Sequence, residues 1–196
     1  LALRQVDFVQ AYPQAPIEQD MYMELPAGLE TRHGSSKDYV LQLLANLYGQ
    51  KQAGRVWNGY MVDKLKGIGF EQSLIDECVF YRDNVIFIVY VDDGIFIGNC
   101  DDELQRTIKE VTATGLEIED QGHPADYVGV AIKRHKDGYL ELSQRALIDS
   151  IIEDVGIGDA YTKPVPAKVQ LQLHAYKDSP KFEDCDFNFN YRSVTG

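Results

Sequence analysis

The sequence predicts a domain of the α/β (α+β) class, in which helices cover one face of an antiparallel sheet. The clearest sheet signal is a pair of β-branched and aromatic runs, residues 85–91 and 95–97, separated by Asp92, Asp93 and Gly94. A short connection of this composition is typical of a tight hairpin. The clearest helix signal is the recurrence of apolar residues at steps of three and four across residues 53–68.

The first half of the chain is predicted to open with a core strand. Its apolar residues show no helical spacing, and Pro13, which cannot donate to a sheet, ends the strand near Tyr12. Residues 21–26 are predicted to be a short extended segment and residues 39–44 a second strand. Between them, residues 31–37 have the glycine and serine content of a variable surface loop.

Two further helices are predicted in the second half of the chain. Asp101 or Asp102 can cap the first helix and Ser143 the second, because their side-chain oxygens accept hydrogen bonds from the free amides of a first turn. Apolar residues follow both caps at helical spacing, and Gly156 ends the second helix after Val155.

A second hairpin is predicted between these helices, where residues 127–133 and 139–142 flank a turn with Asp137 and Gly138. Beyond residue 162, prolines and scattered apolar residues indicate a linker-like tail. The predicted organisation is a main domain over 1–142, a helical element over 143–161, and a linker or the start of another segment over 162–196.

The composition is that of a packed globular protein, with 44% hydrophobic and 11% aromatic residues. No apolar run approaches the roughly 18 to 20 residues of a membrane-spanning helix, and no signal peptide is evident, so we expect a soluble intracellular protein without membrane contact. Cys78, Cys100 and Cys185 are widely spaced and lack zinc-site spacing, which predicts free thiols.

The formal net charge is −12. This balance counts against a large nucleic-acid-binding surface, because Lys and Arg make the phosphate contacts that supply most non-specific affinity. A nucleic-acid enzyme of this composition would need basic surfaces from other segments of a longer protein.

Asp92 and Asp93 are the first candidates for chemistry. Adjacent carboxylates at a hairpin tip repel each other unless a cation binds there, and their hard oxygen atoms suit Mg²⁺. Asp7, in the first predicted strand, can supply the third carboxylate needed to hold two ions about 3.5–4 Å apart for a phosphoryl displacement. The alternative is structural, since aspartate favours turns and Asp-Gly is a common hairpin pair. Taken alone, the pair leaves both interpretations open.

The residues around this pair resemble a known family. Tyr90-Val91-Asp92-Asp93 is similar to the YxDD motif of reverse transcriptases, and residues 88–98 resemble its form in copia-type LTR retrotransposons. Residues 5–12 resemble the first catalytic motif of that family. Further similarity covers residues 21–28 (family VYMEQPPGF), 47–57 (family LYGLKQAxRxW), 120–122, 127–130, 142–144, 162–164 and 191–193.

The resemblance implies the palm of an RNA-directed DNA polymerase from a Pol polyprotein, with incomplete fingers within residues 1–142 and a partial thumb-like element over 143–161. It assigns catalysis to Asp7, Asp92 and Asp93, and metal binding to these three residues together with Phe8. The implied cofactor is a pair of Mg²⁺ ions, with Mn²⁺ as an alternative.

The resemblance also implies substrate contacts. Tyr12, Gly49 and Lys51 are assigned to the incoming deoxynucleoside triphosphate, whereas Arg55, Tyr127, Val128 and Gly129 are assigned to the RNA template and DNA primer. In this interpretation the Tyr12 ring lies beneath the sugar and excludes a 2′-hydroxyl. The structural alternatives are a core aromatic for Tyr12 and a solvated basic turn for Lys51 and Arg55.

Two positions depart from the family pattern. Glu119 stands where many relatives have lysine, and Leu116 where phenylalanine is usual, so a basic group near the triphosphate is missing. His123 and Lys133 are the candidates to replace it. The expected partners are nucleic acid, deoxynucleoside triphosphates and the rest of the Pol polyprotein, with its RNase H and integrase. The expected location is the cytoplasm, in a virus-like particle, or the nucleus.

Two other functions compete with polymerase activity. A catalytically inactive retrotransposon-derived fragment is favoured by the acidic charge, whereas the intact carboxylates oppose it. An acidic Ca²⁺-binding module is disfavoured because no stretch has the ligand spacing of an EF-hand.

Overall fold

The computed structural model describes residues 1–26 and 39–161. The predicted surface loop at 31–37 and the predicted tail from residue 162 lie outside the described residues. The chain divides into two units, Leu1–Glu141 and Leu142–Gly196, and each is treated by itself.

In its described residues, the first unit alternates short strands with three helices. Its elements are β1 (Ala2–Phe8), α1 (Ala11–Gln14), β2 (Tyr22–Glu24), β3 (Val40–Gln42), α2 (Ala53–Gly67), β4 (Glu71–Gln72), β5 (Val79–Arg82), β6 (Val85–Tyr90), β7 (Asp93–Gly98), α3 (Asp101–Ala113), β8 (Ile118–Gly122), β9 (Asp126–Tyr127) and β10 (Val130–Arg134). Strand β11 (Leu140–Ser143) crosses the boundary, and the second unit contains α4 (Arg145–Val155).

The main sheet has six strands in the order β4-β5-β6-β7-β1-β8. Strand β7 pairs antiparallel with both β6 and β1, and β1 pairs antiparallel with β8. Two smaller sheets have the orders β11-β10-β9 and β2-β3. Antiparallel sheets combined with several helices confirm the predicted α/β (α+β) class.

The core lies on one face of the main sheet. Alternate residues of the central strands, among them Val6 and Phe8 on β1 and Phe87 on β6, share one buried cluster with residues of α2 and α3. Phe87 is fully buried, and its ring centroid lies 4.1 Å from that of Phe96. Because α2 and α3 both pack on this cluster, the opposite face of β1 and β7 is available for polar residues near the hairpin tip.

Several boundaries differ from the predicted ones. Strand β1 ends at Phe8 and not near Tyr12, because Gln10 has a left-handed φ of 50° and the chain enters α1. Residues 127–133 are not one strand, since a turn separates β9 from β10. The N-cap of α4 is Gln144 and not Ser143.

The two described cysteines agree with expectation. Cys78 and Cys100 are free thiols. None of the described helices is long and apolar enough to span a membrane.

Candidate active site

Strand register brings three carboxylates into one row. Asp7 on β1 lies directly opposite Asp93 on β7 and, on its other side, opposite Glu119 on β8. Val6 and Phe8 on either side of Asp7 are buried in the core, so the alternation of a strand directs Asp7 to the opposite face. The row therefore lies on the face away from α2 and α3.

Asp92 enters the site from the turn between β6 and β7. Tyr90 pairs with Asp93, which leaves Val91 and Asp92 as a two-residue connection. Val91 has a φ of 60°, a left-handed conformation that is unfavourable for a β-branched residue. The amide of Phe8 donates to Asp92 O over 2.8 Å, and Trp57 Nε1 donates to Val91 O over 2.7 Å. These two bonds hold the strained turn in place.

The site has an excess of negative charge. Burial, followed by the charges of Asp92, Asp93 and Glu119, raises the pKa of Asp7. Burial also raises the pKa of Asp93, with further contributions from Asp92 and Asp126. Among the described residues, none of the ion pairs involves Asp7, Asp92 or Asp93. The carboxylates thus repel each other, and no cationic side chain of the described residues forms an ion pair with them.

This repulsion predicts that Asp7→Asn stabilises the protein at neutral pH. A carboxyl whose pKa is raised on folding favours the folded state when protonated, and that contribution is lost as pH rises above the ordinary aspartate value of 3.8. Like charges opposite each other in a sheet cost about 0.2–1 kcal/mol, so we expect a gain of a few degrees or less in melting temperature at pH 7.

Thermal unfolding measured from pH 3 to pH 8 checks this prediction. The difference between Asp7→Asn and the unsubstituted chain should shrink toward pH 3, where both side chains are neutral. Asp76→Asn, an exposed aspartate in the β4–β5 connection, is the control. A difference that grew toward acidic pH would contradict the expected sign.

The donor set has the chemistry of a hard-cation site, although it is not a closed cage. Within residues 1–26 and 39–161, no three carboxylate, histidine or cysteine side chains converge closely enough to hold a metal ion by themselves. Mg²⁺ usually binds through one or two carboxylates plus substrate phosphates and water, so an open set of carboxylates fits that ion. Phe8 can contribute only its carbonyl oxygen, because its side chain lies in the core.

Tyr12 lies in helix α1 and packs against Tyr48. Its ring is partly buried against the core, and its centroid lies 4.4 Å from that of Tyr48. Tyr48 is 53% exposed, and its pKa is raised by burial and then by the charge of Asp92. The two tyrosines therefore form an aromatic surface next to the acidic row.

The next candidates for substrate contact are Gly49, Lys51 and Arg55, which lie in α2 and in the turn before it. Gly49 and Lys51 are exposed in the preceding turn, where Gly49 has a φ of 92° and open space around it. Arg55 is exposed and pairs with Glu18 through Nη2 and Oε2 at 2.5 Å. Among the described ion pairs, neither Lys51 nor Arg55 contacts Asp7, Asp92 or Asp93.

The third candidate region is the β9–β10 hairpin. Val128 and Gly129 form its two-residue turn, with φ values of 47° and 76°. The hydroxyl of Tyr127 contacts Asp93 O at 3.2 Å. Burial followed by the charge of Asp93 raises the pKa of Tyr127, so this hydroxyl remains protonated at neutral pH. The hairpin is thus joined to the backbone of the acidic row.

Several neighbours of the site were missed by sequence reasoning. The sequence places Tyr48 within the motif at residues 47–57 but does not indicate that it lies near the carboxylates. It shows Glu119 as a departure from the family pattern but not its position opposite Asp7. The link from Trp57 to Val91 was not foreseen, because Trp57 reads as an ordinary core residue of α2. Only the pairing of β8 with β1 shows that Glu119 lies opposite Asp7. The charged sequence of β8 does not indicate a strand.

A comparison with protein families identifies this arrangement. The family model described as reverse transcriptase (RNA-dependent DNA polymerase) matches residues 1–169. The chain belongs to the reverse transcriptase family. Its motifs and its relatives in transposons place it among the copia-type members of that family.

Three curated relatives show how much of a longer protein this reverse transcriptase chain covers. It is 28% identical to the retrovirus-related Pol polyprotein from transposon TNT 1-94 of Nicotiana tabacum, over 88% of the chain and 13% of the polyprotein. It is also 28% identical to the polyprotein from transposon RE1 of Arabidopsis thaliana, over 99% of the chain and 13% of that protein. A putative transposon Ty5-1 protein of Saccharomyces cerevisiae is 28% identical over 70% of the chain and 45% of its own length.

The departures from the reverse transcriptase pattern have clear structural positions. Leu116 is buried in the core. Leucine stands there in place of the usual phenylalanine, and both side chains are apolar. Glu119 adds a negative charge directly opposite Asp7, where a basic group was expected. His123 is exposed just after β8, and Lys133 is exposed on β10. Among the described ion pairs, neither His123 nor Lys133 reaches the acidic row.

Proposed function

We propose that this chain is the catalytic palm of a copia-type RNA-directed DNA polymerase, which copies element RNA into DNA. The observation that carries the proposal is the register of β1 and β7, which sets Asp7 opposite Asp93, next to Asp92 in the adjoining turn. Family membership supports the same conclusion. Because the chain covers 13% of its polyprotein relatives, the activity of the whole protein is part of the proposal.

Reverse transcriptases as a family use divalent metal ions. In this chain Asp7, Asp92 and Asp93, with the carbonyl oxygen of Phe8, would hold two Mg²⁺ ions, or Mn²⁺ in their place. When bound, such ions acidify the attacking primer hydroxyl and stabilise the charge that develops on the leaving pyrophosphate. The protein aligns the carboxylates: the β1–β7 pairing fixes two of them, and the Trp57 and Phe8 hydrogen bonds fix the turn that carries the third.

Tyr12 is proposed to select deoxynucleotides. Its position beside the acidic row, with Tyr48 against its ring, supports a contact with the sugar of the incoming nucleotide. A ring beneath C2′ leaves no room for a hydroxyl. Gly49 and Lys51, in the turn that precedes α2, are proposed to contact the same triphosphate.

We expect Tyr12→Val to admit ribonucleotides. Removing the ring opens space for a 2′-hydroxyl, so the preference for deoxynucleotides, measured as a ratio of kcat/KM values, should fall roughly ten- to a hundredfold. Tyr81→Val, at an exposed position on β5, is the control. If Tyr12→Val lowered the melting temperature but left the ratio unchanged, Tyr12 would be a core residue only.

Template and primer binding are proposed for the exposed residue Arg55 and for the β9–β10 hairpin, Tyr127 to Gly129. The net charge of −12 leaves too little basic surface for tight binding by this chain alone. Other parts of a Pol polyprotein, including RNase H and integrase, are therefore proposed partners. We propose a cytoplasmic virus-like particle, or the nucleus, as the location.

Primer extension on an RNA template tests the proposal. Within a Pol polyprotein of the type its relatives form, the chain should extend a DNA primer with deoxynucleotides when Mg²⁺ or Mn²⁺ is present. Asp92→Asn should abolish this extension. Extension that survived this substitution would exclude the assigned carboxylates, and a complete lack of extension by the polyprotein would contradict polymerase activity.

A catalytically inactive retrotransposon-derived protein is the second candidate. Glu119 favours it, because a carboxylate opposite Asp7 adds repulsion toward a triphosphate where a basic group was expected. If this is the cause of inactivity, Glu119→Lys should restore primer extension. A wild-type polyprotein that already extends primers would exclude this candidate.

A further inference from the structure

Tyr127 is half-buried, and its hydroxyl contacts the backbone of the β6–β7 hairpin. The hydroxyl oxygen lies 3.3 Å from Ile88 O and 3.2 Å from Asp93 O. A phenol has one hydrogen to donate, so the two carbonyls share it. The acceptors belong to neighbouring strands, β6 and β7, and Asp93 is also one of the carboxylates of the acidic row.

The same residue fixes the position of the β9–β10 turn. Tyr127 is the last residue of β9 and pairs with Val130, so Val128 and Gly129 follow it directly at the tip. The base of this hairpin is closed by a bond from Ile132 N to Ala125 O over 2.8 Å. Val128 is 47% exposed, so an apolar side chain is presented at the tip while the neighbouring tyrosine is anchored.

We propose that Tyr127 is a positioning residue, which holds the Val128-Gly129 tip at a fixed place relative to Asp93 through its shared hydroxyl hydrogen bond. The proposal rests on the proposed polymerase function, in which the primer end lies against this tip. Beyond that function, the hydroxyl group of Tyr127 links the β9–β10 hairpin to the strand that carries Asp93. Tyr127 then acts on the reaction through other residues and does not itself need to touch nucleic acid.

The Tyr127 hydrogen bond lies close to both the hairpin tip and Asp93. The tip is one residue from Tyr127, and the carboxylate of Asp93 is borne by the residue whose carbonyl accepts the bond. A small shift of the tip therefore changes the distance between a primer end and the acidic row directly. Misplacement of a reacting group by about 1 Å can cost a hundredfold in rate, and loss of one weak bond should cause a smaller displacement.

Tyr127→Phe tests the inference, because it removes the hydroxyl and keeps the ring. In the Pol polyprotein we expect kcat for nucleotide addition to fall about five- to tenfold, while the Kd for primer–template and the melting temperature stay nearly unchanged. Tyr139→Phe is the matched control. Tyr139 is an exposed tyrosine in the β10–β11 connection, and its ring lies 4.1 Å from that of His135. Its substitution should change none of these quantities.

Hydrogen exchange supplies a readout that does not depend on activity. Amides of residues 85–98 should exchange faster in Tyr127→Phe than in Tyr139→Phe or the unsubstituted protein. An unchanged kcat, or a fall in kcat matched by an equal effect of Tyr139→Phe, would overturn the positioning role. If the unsubstituted polyprotein does not extend primers, the polymerase proposal fails, and unchanged exchange would then overturn the link independently.

Discussion

We expect Asp93→Asn to lower kcat for nucleotide addition by about a thousandfold or more, because losing a metal ligand removes several kcal/mol of transition-state stabilisation. The same substitution should raise the melting temperature at pH 7, since it removes one of the charges that repel Asp7. A large loss of activity combined with a small gain of stability is the signature of a carboxylate kept for chemistry.

Asp126→Asn is the matched control for Asp93→Asn. Asp126 is an exposed aspartate on β9 whose charge acts on Asp93. Its substitution therefore removes a nearby charge without removing an assigned ligand. Its kcat should stay within about threefold of the unsubstituted enzyme, an effect below 1 kcal/mol. Equal losses for both variants would mean that the site depends on total charge and not on Asp93 as a ligand.

The largest effect on stability is expected for Gly94→Ala. A Cβ atom at residue 94 would lie 2.7 Å from Phe87 Cε2 and 2.9 Å from Val6 Cγ2, and both side chains are buried in the core. Overpacking of this kind costs about 1–3 kcal/mol. In a protein of this size the melting temperature should fall by roughly 2–4 °C per kcal/mol.

A pair of further variants distinguishes this clash from a general effect of replacing glycine. Gly59→Ala, at an exposed position in α2 with open space around it, should stabilise the protein by about 1 kcal/mol, because alanine favours helix. Phe87→Leu removes the ring atoms that meet the new methyl group, so the double variant should be less destabilised than the two single effects predict. Strict additivity would contradict the proposed clash.

Gly94 also shows where sequence reasoning succeeded and where it stopped. The composition of residues 85–97 predicted the hairpin, and the YxDD motif identified the aspartates. The pattern, however, assigned Gly94 to the turn, whereas the turn consists of Val91 and Asp92 and Gly94 lies inside β7. Glycine is required at residue 94 because Phe87 occupies the space for a side chain, and this contact depends on packing between strands.

Strand β8 could not have been predicted from its own residues. Ile118 is its single β-branched residue, and the other four are polar residues or glycine, which are not typical of strands. It is held at the sheet edge by tertiary contacts, including the ion pair between Arg4 and Asp120 at 2.8 Å. Its position is what sets Glu119 opposite Asp7, so the acidity of the site became apparent only from the register.

The helix α2 was predictable because its apolar spacing is long and regular. The contribution of α2 to the site was not predictable, because the hydrogen bond from Trp57 to Val91 O joins two segments far apart in sequence. The short helix α1 was not predicted from the sequence. A single left-handed residue, Gln10, redirects the chain before Tyr12, and no local pattern indicates it.

Mn²⁺ binding, measured by electron paramagnetic resonance, tests most directly whether Asp7, Asp92 and Asp93 form one metal site. The unsubstituted chain should bind Mn²⁺ saturably, and Asp93→Asn should weaken that binding at least tenfold, a change of about 1.4 kcal/mol or more. Asp76→Asn should bind as the unsubstituted chain does. Binding that is absent from the unsubstituted chain, or equal in all three proteins, would contradict the metal site.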